Sequence, residues 1–168
     1  KSETYIITRF PSSNAYEWTS NLQGGIMKTI ALRFSENFAP SEGTIKAHQD
    51  IIDSNGYVWY GKLGTKISNE AKNNILKEDV SKVLLIHSGK TDRYWAFIED
   101  ISFECPADIE NIPPYYRSDR DKFKTWFKIS RFEKAPKDIL TKCVVESSKQ
   151  QLSYGINLLW NSENMTLM

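Results

Sequence analysis

Apolar and polar residues follow one another along this chain in short blocks whose period changes several times. "TYIITRF", residues 4 to 10, is rich in β-branched and aromatic residues and predicts a strand. "PSSNAYEWTSNLQGG" reads as loop, and "IMKTIALRF", residues 26 to 34, predicts a buried strand. In "SEGTIKAHQDIIDSNG" the residues Ile45, His48, Ile51 and Ile52 fall on one face of a helix that Ser41 or Thr44 can cap and Asn55-Gly56 ends. "GYVWYGKLG" is a strand stopping at Gly61, with Lys62 and Lys66 beyond it. "SNEAKNNILKED" predicts a second helix, capped by Ser68, with Ala71 and Ile75 four apart. "VSKVLLIH", the turn "SGKTDR" and "YWAFIEDISF" predict an antiparallel hairpin over residues 80 to 103. Pro106, Pro113 and Pro114 punctuate a long loop before the strand "FKTWFKISRF". "DILTKCVV", a segment capped from Ser147-Ser148, and the apolar run "YGINLLW" follow.

This order predicts an α+β fold: a strongly curved mixed sheet or small barrel of five or six strands, with two or three flanking helices. Gly24-Gly25 before Met27 suggests a boundary, with residues 1–25 as an N-terminal strand, arm or extension and residues 26–168 as the domain. The absence of an initiator Met fits a processed product or an excised module.

Composition narrows the class. Apolar residues make up 40% and charged residues 26% of 168, which is an ordinary globular balance. A formal net charge of +1 excludes strong whole-chain attraction to nucleic acid, so any basic site is local. Cys105 and Cys143 are far apart and neither lies in a CxxC, which fits a reducing, cytoplasmic setting. Neither a membrane-spanning run nor the apolar stretch of a signal peptide is visible.

The densest chemistry is "PYYRSDRDKFKTWFKISRFEK", residues 114 to 134. Seven cations stand against three carboxylates, a net +4, and six aromatics are interleaved. Cations neutralise phosphates while rings stack on bases, so the segment suits nucleic acid. The competing explanation is a strand with rings in the core and charges in water, with Phe123, Phe127 and Ile129 pointing one way. It applies less well to Tyr115, Tyr116 and Arg117, which follow two prolines in a loop. The turn at His87, Ser88, Lys90 and Arg93 can hold a phosphate, or be a plain hairpin tip. Enzyme signals are poor. His48 and His87 have no metal-ligand spacing, Glu99 and Asp100 diverge on a strand, and no GxSxG, P-loop, HExxH or GxGxxG is present.

The stretch "EDVSKVLLIHSGKTDRYWAFIEDISFE" resembles the central hairpin of the EVE branch of the PUA-like superfamily, where a "GD-x-V-x-x-Y-x-S-G-K" strand and turn lead into a pocket wall. "TWFKISRFEKAPKDIL" is similar to that family's "W-x-x-V-D-V-R-F" strand followed by Pro. The two segments cover residues 78 to 140 in the family's order, while its opening strand and Trp-Asp-Gly-Val-Arg segment have no counterpart. The resemblance implies a PUA-like fold and a non-catalytic reader, like EVE and YTH domains, that takes a flipped, modified base in an aromatic cage. It implies DNA more than RNA as partner, no cofactor, and a fused or associated GTPase or nuclease of a restriction, antiphage system.

On this chain the cage candidates are Trp59, Trp126 and Tyr115, with Tyr116 in reserve. Ser88 and Ser147 would read the base edge, and Lys62, Lys90, Arg93 and Arg117 would meet phosphates. Trp59 and Tyr60 alternate on their strand, so one of them at most enters a pocket. Core packing of Trp59 is the alternative. Two rival functions stand beside the reader: a PUA-like RNA-binding module, and a nuclease or nucleotide hydrolase with an unrecognised site.

Overall fold

The structure, a computed structural model, describes residues 4–9, 28–34, 36, 39–87, 92–145 and 152. Among these residues seven strands form one mixed sheet: β1 (Thr4–Arg9), β2 (Lys28–Phe34), β3 (Val58–Leu63), β4 (Lys82–His87), β5 (Arg93–Ser102), β6 (Phe123–Lys134) and β7 (Cys143–Val145). Their order is β3-β6-β5-β4-β2-β1-β7. The β2–β4 pair is parallel, and every other pair is antiparallel. The parallel pair exists because helices α1 (Thr44–Asn55) and α2 (Asn69–Leu76), with β3, form the crossover between β2 and β4. Register shifts between Lys62 and Leu63, and around Ile98 in β5, bend the sheet. The result is the curved α+β architecture that the pattern predicts, with seven strands among the described residues where five or six were expected.

Side-chain alternation explains the core. Ile30, Leu32 and Phe34 of β2, Val83 and Leu85 of β4, and Ala96 and Ile98 of β5 share one cluster, against which Ile45, Ile51 and Ile52 of α1 pack. Ala31, Leu84, Ile86 and Trp95 face the other way, onto Ile7, Ile139, Leu140 and Leu152. The central strands are therefore buried on both faces, which is why they read as continuous apolar runs. The hairpin of β4 and β5 forms with Leu84 opposite Trp95.

The helix ends differ in kind. Ser68 caps α2 as its sequence predicts, its Oγ accepting the Ala71 N–H at 3.0 Å. Neither Ser41 nor Thr44 caps α1. Its N-cap is Gly43, and the Glu36 carboxylate reaches in to accept the Thr44 N–H at 2.9 Å. A Cβ at Gly43 would stand 2.9 Å from that carboxylate. Gly56 ends α1 in the left-handed region at φ 90°, its N–H bonded to Ile52 O.

Two expectations need correcting. Phe123 does not share a face with Phe127 and Ile129. The shift at Lys62/Leu63 sets Phe123 opposite Leu63 and into a separate ring cluster, while Phe127 and Ile129 enter the main core. The proline-rich loop is also more ordered than its composition suggests. Pro114–Lys122 is 3-10 helical, with Pro114 at its start, and it buries Tyr116.

Candidate nucleic-acid interface

The interface candidate begins at β3, which among the described residues is an edge strand paired with β6. Trp59 lies opposite Lys128, and Gly61 opposite Trp126. Alternation sends Tyr60 to the main core and Trp59 to a cluster containing Ile112, Tyr116, Phe123 and Trp126, with Tyr57 and Tyr115 at its margin. Gly61 is required by this cluster: a Cβ there would fall 2.7 Å from the Phe123 ring. The glycine makes room for an internal ring.

A short 3-10 turn, Ile109–Asn111, is tied across β3. The buried Asn111 side chain donates to Tyr57 O at 2.9 Å, and Asn55 donates to Glu110 O at 3.1 Å. This places Asp108 to accept from both Tyr57 Oη and Trp59 Nε1, the latter at 2.9 Å. Burial works to raise the Asp108 pKa, but the two donors, the Asp108 backbone N–H and the Lys128 charge together outweigh it and hold the carboxyl below its ordinary value. The same contact, with Asp108 as acceptor, pushes the Tyr57 hydroxyl up to about 12. Lys128 Nζ lies 4.3 Å from the Tyr57 ring centre.

Of the cage candidates, Trp59, Trp126, Tyr115 and Tyr116 meet in one assembly. Tyr115 and Tyr116 have ring centres 4.7 Å apart, Tyr116 and Phe123 4.7 Å, and Phe123 and Trp126 5.2 Å. Their access to solvent is unequal. Trp126 is 0% exposed, Trp59 8% and Tyr116 9%, whereas Tyr115 is half-buried at the edge. The expectation of little burial for the loop tyrosines is thus overturned for Tyr116, because the 3-10 segment lays it across Phe123.

His48 lies on the far side of Tyr116, with ring centres 5.3 Å apart, and also touches Tyr60, Tyr115 and Phe132. Its Nδ1 is 2.8 Å from Thr44 O and so carries the proton, which leaves Nε2 as a bare acceptor. Full burial lowers the His48 pKa to about 4, against a smaller opposing effect of the Thr44 bond. His48 Nε2 and Trp126 Nε1 are both buried without a hydrogen-bond partner among the described residues. Sequence reasoning placed His48 on the buried helix face but gave it no part in the site. Asp108, inside the loop, carried no signal.

The phosphate candidates separate. Arg117 is half-buried and its Nε donates to Ile112 O at 3.1 Å, beside the ring cluster. Arg93 begins β5, where burial lowers its pKa and Asp92 opposes. Lys62 lies on the Tyr60 side of β3, away from Trp59, with Nζ donating to Leu63 O and Thr65 O. Ser88, Lys90 and Ser147 lie outside the described residues. The flanking cations Arg120, Lys122, Lys124 and Arg131 are exposed, though Lys122 pairs with Asp119 and Arg131 with Glu133.

No helix among the described residues is long and apolar enough to cross a membrane. No group of His, Cys, Asp and Glu among them has the geometry to hold a metal ion. No curated protein and no solved structure matches the chain. A family model described as Pua-like matches residues 30–157, more than two thirds of the chain. The chain belongs to the Pua-like family, and that membership suggests a binding module with nucleic acid as its partner.

Proposed function

We propose that this protein is a reader of the EVE/YTH-like branch that takes a flipped, modified base, in DNA by preference, into the ring cluster around Tyr115 and Tyr116. The observation that carries the reading is the pair of orphaned polar atoms flanking Tyr116, the acceptor His48 Nε2 and the donor Trp126 Nε1. Buried polar groups are nearly always satisfied, and exceptions call for an explanation. A base edge presents donors and acceptors of this kind, and aromatic walls supply stacking.

In this proposal Tyr115 offers the first stacking face, while Trp59, Trp126 and Tyr116 form the wall behind it. Tyr115 and Tyr116 ride on Pro114–Lys122, whose backbone leaves helical values at Asp119 (φ −111°, ψ 17°). Displacement of this segment opens the cluster to a base. Flipping costs a few kcal/mol, and each stacking ring returns about 1–3 kcal/mol. Arg93 and Arg117, with Lys90, would hold phosphates, and Ser88 and Ser147 would read the base edge. An associated GTPase or nuclease would supply any catalytic step.

The test is competition among modified duplex DNA, unmodified duplex DNA, single-stranded DNA and RNA for the protein, with and without divalent metal. The modified duplex should compete best, and no nucleic acid should be cleaved. Preference for RNA would make the chain an RNA-binding module, and metal-dependent cleavage would make it a nuclease.

A further inference from the structure

A groove lies on the other side of β3. Between the β1–β2 pair and the connection from β3 into α2 runs a groove of about 410 Å³. Ile6, Ile30 and Ile67 form its apolar wall, and Lys62, Lys66 and Ser68 its polar one. A smaller recess of about 50 Å³ shares Ile6, Ile30 and Ser68 and reaches Glu70 and Asn74. Side chains alternate along β3, so Lys62 belongs to the Tyr60 face and the groove is separate from the Trp59 ring cluster.

Lys62 is the unusual member. Only 6% of it is exposed, yet its ammonium has two backbone carbonyls as partners, Leu63 O at 3.1 Å and Thr65 O at 2.6 Å. Among the described residues no carboxylate lies within ion-pair distance of it. A buried cation with carbonyls alone is incompletely compensated, and an arriving anion would supply the missing charge. Burial accordingly lowers the Lys62 pKa.

The surroundings favour an anion joined to an apolar group. Lys66 brings a second cation, its Nζ 4.7 Å from the centre of the Phe103 ring. Ser68, the cap of α2, also lines the groove, at a helix end whose dipole favours negative charge. Ile6 stays 40% exposed beside the buried Ile30, an apolar surface open to a ligand. The volume falls in the range of small-molecule sites, roughly 300–1,000 Å³, and exceeds what a lone ion requires.

We propose that this groove binds a phosphorylated ligand of nucleotide size, with its phosphate against Lys62 and Lys66 and its apolar portion on Ile6, Ile30 and Ile67. The phosphate can come from a free nucleotide or from the end of a strand, and both present the same dianionic group. The site stands independently of the base-reading proposal, because it needs no aromatic cage and no modified base.

Amide NMR of the full chain decides the matter, with adenosine monophosphate, adenosine, inorganic phosphate, and a short oligonucleotide with and without a terminal phosphate as probes. Adenosine monophosphate should shift the amides of Ile67, Ser68 and Ala71, inorganic phosphate should shift the same amides more weakly, and adenosine should leave them in place. Lys62→Met should weaken adenosine monophosphate about tenfold or more, the scale of a lost hydrogen bond to a charged group. Lys66→Glu reverses groove charge without touching the Lys62 carbonyl contacts, and it should weaken binding even if Lys62→Met fails to fold. If only the phosphorylated oligonucleotide moves these amides, the strand end is the source and the site stands. If no phosphorylated probe moves them, or adenosine moves them as well as its monophosphate does, the proposal is overturned.

Discussion

At the scale of single residues, burial divides the aromatic candidates into two roles. Trp59 is packed among rings and bonded to Asp108 through Nε1. Trp59→Ala should therefore cost about 3–5 kcal/mol of folding stability, the range for deleting a buried large aromatic. Chemical denaturation measures it, and a loss below about 1 kcal/mol would contradict the core role. Tyr115 sits at the margin of the same cluster. Tyr115→Ala should lower affinity for the preferred modified duplex by about 1–3 kcal/mol. Its cost in stability should be smaller than that of Trp59→Ala. Melting curves run beside the binding titrations separate the two effects, and equal affinity for the variant and the parent protein would remove Tyr115 from the site.

His48 gives a prediction in pH. Its folded pKa, about 4, lies below the ordinary value of 6.5. Between these values the unfolded chain binds the proton and the folded chain does not. The stabilising contribution is therefore complete above pH 6.5 and is lost as pH falls through the window to about 4. Its full size is about 3 kcal/mol at 1.36 kcal/mol per unit. Stability of the parent protein should fall across this window, and that of His48→Phe should fall much less. Identical pH profiles would mean that His48 is not buried neutral.

At the scale of elements, the ring cluster depends on how β3 and β6 meet. Gly61→Ala would force a methyl group against Phe123, at a cost of about 1–3 kcal/mol typical of overpacking. Adding Phe123→Leu to Gly61→Ala should recover part of the loss. A double variant no more stable than the single one would place the strain elsewhere.

The same pair shows where sequence reading ends. Alternation and β-branched residues made β2, β4, β5 and β6 legible, since those signals are local. The face taken by Phe123 was not legible, because it follows from a register shift between strands some 60 residues apart in sequence. Glu36 at the start of α1 was hidden for a similar reason: it acts from eight positions before Thr44, beyond any capping motif. Tyr115, Tyr116, Trp59 and Trp126 were singled out together, and core packing was weighed for Trp59 and for the strand of Trp126, but the burial of Tyr116 was not anticipated. Composition gave the segment its aromatics and cations, and only the tertiary packing of Pro114–Lys122 decides which rings face water. Lys62 shows the converse. From the sequence it reads as lying beyond a strand that stops at Gly61, whereas β3 continues to Leu63 and Lys62 is buried within it.

At the scale of the whole molecule, a net charge of +1 leaves nucleic-acid binding to the local cationic segment beside the rings. Phosphate contacts set affinity and its salt dependence, whereas contacts to the base set selectivity. These two properties are separable in one experiment. Equilibrium affinity should be measured for one duplex, with and without the modified base, across a series of salt concentrations. If about four cations meet phosphates, both log–log plots should fall with a slope near −3 to −4. The modified duplex should bind more tightly by a factor that stays constant along the series, because the base contacts carry no counterions. Coincident lines for the two duplexes would contradict base reading, and a flat response to salt would contradict nucleic acid as the partner.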